Sequence, residues 1–203
     1  KPRTSVFGTI IGMLNLKDGL NDSDKYRDYD FTIIDGQQRI TTLNLLIVSL
    51  CHFANYYSEK ATSLRQILGD MRKYLVRNNE LNNPIPRLSL NYNDNDYWKK
   101  IISIFFTPGT NAEMNLKTAI SEMKNFVKIE NNETKLHKAL EETFRGLREY
   151  IRNDGEDKIA DKILILWQWI NSTDDYGLRF TKIVEEDIHT ALMRFDRENN
   201  RGV

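Results

Sequence analysis

The stretch Asp35-Gly36-Gln37-Gln38-Arg39-Ile40-Thr41-Thr42-Leu43 limits what this chain can fold into more than any other. Before it lies a β-branched and aromatic run, in which Tyr29, Phe31 and Ile33 alternate with Asp30, Thr32 and Ile34. A period of two predicts a strand with one buried face, paired with an earlier strand. After it, Ile40, Leu43, Ile47, Leu50, Cys51 and Ala54 recur at helical spacing, which predicts a helix from about Gln38 to Tyr57. Leu45 and Val48 make that helix apolar on most sides, as a central helix is. Strand, tight polar turn and helix start, in that order, point the first N–H groups of the helix out of the strand's end. With the positive end of the helix dipole behind them, such groups attract phosphate. Gly36 lets an oxygen approach the backbone with no Cβ in the way. Arg39 adds a permanent charge with forked donors suited to phosphate.

A second reading of the same residues stays open. Asp35 can be a helix N-cap, with Gln38 three residues later closing a capping box, and Arg39 can lie on the surface, paired with any of the many acids. The carboxylate would then occupy the N–H groups and repel a phosphate, unless a metal ion lay between them. The hydroxyls of Thr41 and Thr42, in the first turns, either reach whatever binds at the turn or bond back to the helix.

At 203 residues the chain can bury a substantial core, as one domain or a core with a large insertion. Lysine and arginine number 29, as do aspartate and glutamate, so no global field draws the protein onto nucleic acid. Contact with DNA must come from a local patch or from other parts of the system. The single cysteine, Cys51, excludes an internal disulfide and fits a reducing compartment. Thr41, Thr42, Asn44, Ser49 and His52 interrupt the best apolar run, and no secretory signal opens the sequence. The expectation is a soluble, cytoplasmic protein. His52, His137 and His189 lack the spacing of a zinc site, and neither a P-loop nor a G-x-G-x-x-G string is present. A start at Lys1 and a stop one residue after the cap-like Gly202 suggest a fragment of something longer.

Elsewhere, Ser5 to Leu14 is predicted as a strand, with Gly8 and Gly12 marking a bulge or a close approach, or merely loose packing at both, more so at Gly12. Helices are expected over Ala61 to Arg77, from Asp94 or Asn95 to Phe106, over Ala112 to Lys128, Glu133 to Arg152 and Ile159 to Ile170. Arg65, Arg72, Lys73 and Arg77 give the first of these a basic side, read as solvated in preference to DNA-binding. Asn78 to Pro86 is expected to break the chain and Arg87 to Leu90 to run extended. A third strand, Leu178 to Val184, leads into a helix from Glu186 to Asn199 with Ile188, Ala191, Leu192 and Phe195 inward. If this unit packs beside the first, Asn199 and Arg201 come near the ligand; a Schellman-type stop is the alternative.

Three segments carry a family resemblance. Phe31-Thr32-Ile33-Ile34 followed by D-G-Q-Q-R-I-T-T-L closely resembles the signature of the GmrSD-type restriction endonuclease N-terminal family. Phe195-Asp196-Arg197-Glu198-Asn199-Asn200-Arg201-Gly202 is similar to the family's F-E-x-x-N-x-R-G stretch, and Val6-Phe7-Gly8-Thr9-Ile10-Ile11 to its aromatic-Gly-aliphatic strand. The resemblance implies a ParB/sulfiredoxin-like core that binds and hydrolyses a nucleoside triphosphate with Mg²⁺. It also implies modified DNA as the target, and an HNH-type nuclease further along or in a partner subunit. The fold class expected is α+β and mostly helical: a small mixed ParB/sulfiredoxin-like sheet with a central helix. Residues 1–57 and 174–203 would form the nucleotide-binding core and 58–173 a helical insertion. Gly36, Arg39, Thr41, Thr42, Asn199 and Arg201 would hold the nucleotide. Gln37 or Gln38 would orient the attacking water, Arg39 would neutralise phosphate charge, and Asp35 would bind Mg²⁺ or accept the water's proton.

Overall fold

Strand β1 (Ser5–Leu16) lies at the middle of a three-stranded sheet, between β2 (Tyr29–Asp35) and β5 (Leu178–Glu185), in a computed structural model that describes residues 5–16, 29–59, 61–78, 84–106, 135–172 and 177–199. β2 runs antiparallel to β1, as their closeness in sequence allows, and β5 runs parallel to it. The sheet is therefore mixed, and a parallel pair needs a long crossover between its strands. Among the described residues, five helices lie in that crossover: α1 (Gln37–Tyr56), α2 (Thr62–Leu75), α3 (Tyr92–Phe106), α4 (Lys135–Arg152) and α5 (Ile159–Asn171). A sixth, α6 (Ile188–Asn199), follows β5. The architecture is α+β and mostly helical. The expected helix over Ala112 to Lys128 lies outside the described residues.

The described residues form two compact units, one within Lys1–Thr41 and Trp169–Val203 and the other within Thr42–Gln168. In the first, the pairing of β1 shifts register at Ile11/Gly12 against β2 and at Val6/Gly8 against β5. Gly12 is a close approach and not loose packing: a Cβ there would overlap the Thr32 carbonyl and the Phe31 ring. The ring that the glycine admits is covered in turn by Lys182 of β5, whose Nζ stands 4.4 Å from its centroid. Helix α6 packs on all three strands. Its N-cap is Asp187, which accepts the Thr190 N–H at 2.9 Å and the Thr190 hydroxyl at 2.8 Å. Those bonds hold the Asp187 carboxyl below the usual carboxylate range. Ala191 is fully buried, but Ile188 and Leu192, expected inward, are 54% and 46% exposed. The buried line of α6 runs through Ala191 with half-buried Arg194 and Phe195. Ile188 belongs to the first turn and Leu192 sits about 100° round the helix from Ala191, so both fall outside it.

The second unit is a helical core. Within α1, Leu45, Ile47, Val48, Leu50, Cys51, Phe53 and Ala54 are all buried, as its lack of a polar face requires. His52 lies edge-on to Phe53, Phe105 of α3 and Phe144 of α4, with centroids 5.4 to 5.8 Å away. This apolar cage lowers its pKa to about 4, so the ring is neutral at physiological pH. Burial pushes the Cys51 thiol far up, which makes it a packing residue and not a nucleophile. The apolar series of α4, Leu136, Leu140, Phe144, Leu147 and Ile151, is buried throughout, as its spacing predicts. Polar ties join the helices: the Tyr97 hydroxyl meets His137 Nδ1 at 2.7 Å, and Lys162 donates to the Tyr150 carbonyl and to Asp154.

Local expectations are refined at three places in this unit. The segment from Asn78 to Pro86 does not simply break the chain, because β3 (Val76–Asn78) pairs with β4 (Pro84–Pro86). The prolines donate no N–H, so only Ile85, opposite Arg77, can bond in both directions. Arg87 to Leu90 joins neither sheet: the Arg87 N–H goes to Leu75 O, and Leu88 O accepts from Trp98 Nε1. Helix α3 is capped by Asn91, whose side chain accepts the Asp94 N–H at 3.0 Å, and not by Asp94 or Asn95. Asn95 instead accepts the Leu90 N–H, which lies before the cap.

Candidate functional site

The Asp35-Gly36 turn closes β2 and opens α1, in the predicted order. Gly36, not Asp35, is the cap residue: its carbonyl accepts the first helical bond, from Ile40 N–H at 3.0 Å. Asp35 is still part of the strand, and its Oδ1 accepts the Gly36 N–H at 2.7 Å. The capping box with Gln38 does not form, because the carboxylate sits one residue too early to reach the first-turn amides. Gly36 holds φ +92°, and a Cβ on it would stand 3.1 Å from Ile10 Cγ1 and 3.2 Å from Thr9 O. Only glycine both adopts that angle and lets the turn press against β1. The amides of Gln37, Gln38 and Arg39 come next; they have no intrahelical partner and carry the positive end of the dipole.

Arg39 does not extend into solvent. Its Nη1 donates to Thr9 O at 2.7 Å, and its stem crosses Gly8, where a Cβ would meet Nε at 3.0 Å and Cζ at 3.3 Å. Asp35 Oδ2 stands 3.6 Å from the same Nη1, an ion-pair distance beyond hydrogen-bond length. The Arg39 side chain keeps 41% of its surface exposed, so one edge of the guanidinium is docked on β1 and another faces outward. A half-exposed charge of this kind contributes little stability but can meet an anion.

Of the other predicted site residues, Gln37 directs its Nε2 to Ile33 O at 2.9 Å, while Gln38 is exposed. The Thr41 hydroxyl donates to Gln37 O at 2.9 Å, the back-bonded arrangement. Thr42 is exposed and belongs to the other unit. Asn199 ends α6, whose unit includes the turn, but its side chain and Arg201 lie outside the described residues. Among the described residues, no group of three or more His, Cys, Asp or Glu side chains is placed to hold a metal ion. A cation at the turn would draw on Asp35, the carboxylate of the motif, together with the ligand's own oxygens. That is how Mg²⁺ is commonly held beside phosphates. The basic side of α2 is partly structural: Arg72 donates to Phe106 O at 3.0 Å and lies over that ring.

The part that sequence reasoning did not supply is the Thr9 carbonyl. A backbone acceptor leaves no mark in residue identity, and only the oddity of Gly8 within a β-branched strand hints at a crossing side chain.

Fold and site together define an α+β domain built on a strand–turn–helix motif with an arginine docked beside its helix start. The chain belongs to the GmrSD restriction endonuclease N-terminal domain family, whose family model matches residues 3–203. In a comparison with curated proteins, none matched. No helix among the described residues is long and apolar enough to cross a membrane.

Proposed function

We infer that this domain binds a nucleoside triphosphate at the Asp35-Gly36 turn and hydrolyses it, as a regulatory part of a modification-dependent (type IV-like) restriction endonuclease acting in phage defence. The observation that carries the reading is the docked Arg39, fixed by Thr9 O with an outward edge, beside amides that the Asp35 carboxylate does not cover. Backbone N–H groups and a bidentate cation are the pair that phosphate sites at helix starts use. In this reading the amides of Gln37, Gln38 and Arg39 receive phosphate oxygens and Arg39 neutralises charge that grows on them during transfer. Bound Mg²⁺ supplies further positive charge to the phosphates; Asp35 would hold it through Oδ2, the oxygen not bonded to Gly36. Gln38 is the residue free to orient water, because Gln37 is tied to Ile33 O. Modified DNA and a nuclease domain or subunit would be the partners of the complete system, in the cytoplasm.

Titrating the intact protein with the four triphosphates and Mg²⁺, while phosphate release is followed, tests this reading. Saturable binding with release above the Arg39→Ala background supports it. No binding of any triphosphate at millimolar concentration sinks it.

A second reading keeps the pocket without the chemistry: a nucleotide sensor, or a DNA-binding clamp, whose partner subunit cuts. The engagement of both Gln37 and Thr41 in backbone hydrogen bonds favours it. Binding without turnover in the same titration selects it.

A further inference from the structure

We propose that Gly8 is a positioning residue for Arg39, and that the bulge it makes in β1 is the seat holding the guanidinium ready for phosphate; this rests on the nucleotide reading above. The pairing of β1 with β5 shifts between Val6 and Gly8, and Gly8 takes φ +108°. A bulge turns the backbone of one strand and is common beside functional sites, where it re-aims a side chain. Here the side chain re-aimed belongs to the facing helix. A Cβ at Gly8 would stand 3.0, 3.3 and 3.4 Å from Nε, Cζ and Cδ of Arg39, so the whole base of the guanidinium lies against the bare Cα. The next residue, Thr9, turns its carbonyl to Arg39 Nη1 at 2.7 Å. One glycine thus supplies both the space for the stem and the local backbone course that brings an acceptor to its tip. An arginine at an exposed helix start otherwise samples many rotamers, and holding it before the ligand arrives removes that ordering cost from binding. Glycine inside a strand weakens the strand. The bulge therefore serves the arginine and not the sheet.

The test is a double-mutant cycle with Gly8→Ala and Arg39→Ala, reading triphosphate affinity in Mg²⁺ alongside melting temperature. Gly8→Ala is expected to weaken binding roughly tenfold or more, the scale of losing one charge-assisted contact. In the Arg39→Ala background, where only the φ strain remains, it is expected to lower the melting temperature less and leave affinity unchanged. If the wild type binds and Gly8→Ala binds equally well, or costs the same affinity in both backgrounds, the positioning role is overturned while the nucleotide reading stands. If the wild type binds no triphosphate, the nucleotide reading fails and takes the phosphate-positioning role with it. Should Gly8→Ala not fold, the wild type decides by NMR, with the Arg39 Nε–H signal assigned through Arg39→Lys. An order parameter of about 0.8 supports the seat, and mobility equal to that of exposed Arg197, below about 0.6, overturns it.

Discussion

Arg39 and Thr9 are thirty residues apart in sequence, yet Arg39 Nη1 donates to the Thr9 carbonyl at 2.7 Å. This bond converts a long, mobile cation into a fixed one at the end of β2, where the first amides of α1 emerge. It also separates the two roles that Arg39 could have, because a partly exposed contact to a single carbonyl adds little to stability.

Arg39→Ala is accordingly expected to abolish triphosphate hydrolysis while costing about 1 kcal/mol of stability, the scale of one net hydrogen bond. Arg39→Lys should fail as well, since an ammonium cannot keep Thr9 O and grip a phosphate as a fork does. Phosphate release and chemical denaturation, measured on the same preparations, check this; a loss of several kcal/mol would make Arg39 a structural residue.

Gly36→Ala should destabilise the fold by about 2 kcal/mol, because φ +92° is strained for any side chain and the new Cβ presses on Ile10. The turn moves as a consequence, so nucleotide affinity should fall with it. Urea unfolding that coincides with the wild type would refute the strain argument.

His52 gives the stability a pH dependence whose sign follows from its cage. Well above pH 6.5 the ring is neutral in both states and contributes no dependence. Below that, the unfolded chain takes up a proton that the folded state refuses until about pH 4, so stability falls as pH drops through this window. The full loss is about 3 kcal/mol. His52→Leu is expected to flatten this part of the pH–stability curve, and an unchanged slope between pH 6.5 and 4 would show that the cage admits the charged ring.

Asn91→Ala removes the cap of α3 and should cost about 1 kcal/mol, whereas Asp94→Ala should cost less. Paired thermal melts of the two variants distinguish them. A larger loss for Asp94→Ala would restore Asp94 as the start of the helix.

Local chemistry made much of this legible in advance. The alternation of Tyr29 to Ile34, the turn at Gly36 and the apolar series of α1 and α4 each express a period or a backbone preference contained in a few adjacent residues. The family signature has the same local character, with Asp35 to Leu43 at its centre. Exposure on α6 is less legible, because Ile188 and Leu192 follow helical spacing yet fall outside the line through Ala191 that the helix buries. The cap of α3 is not legible among neighbouring Asn and Asp residues that share one chemistry, and only backbone geometry selects Asn91.

From the sequence alone came the three strands of the mixed sheet, the helices around them, their order and the family. The tertiary structure decided where the Arg39 charge goes. It set the parallel register of β1 against β5, opened the bulge at Gly8, and brought the Thr9 carbonyl to Arg39. The division has a physical cause: torsional preference and hydrophobic period act between neighbours along the chain. A side chain's resting place depends on atoms that folding alone brings within hydrogen-bond reach, and a backbone carbonyl is the same in every residue type.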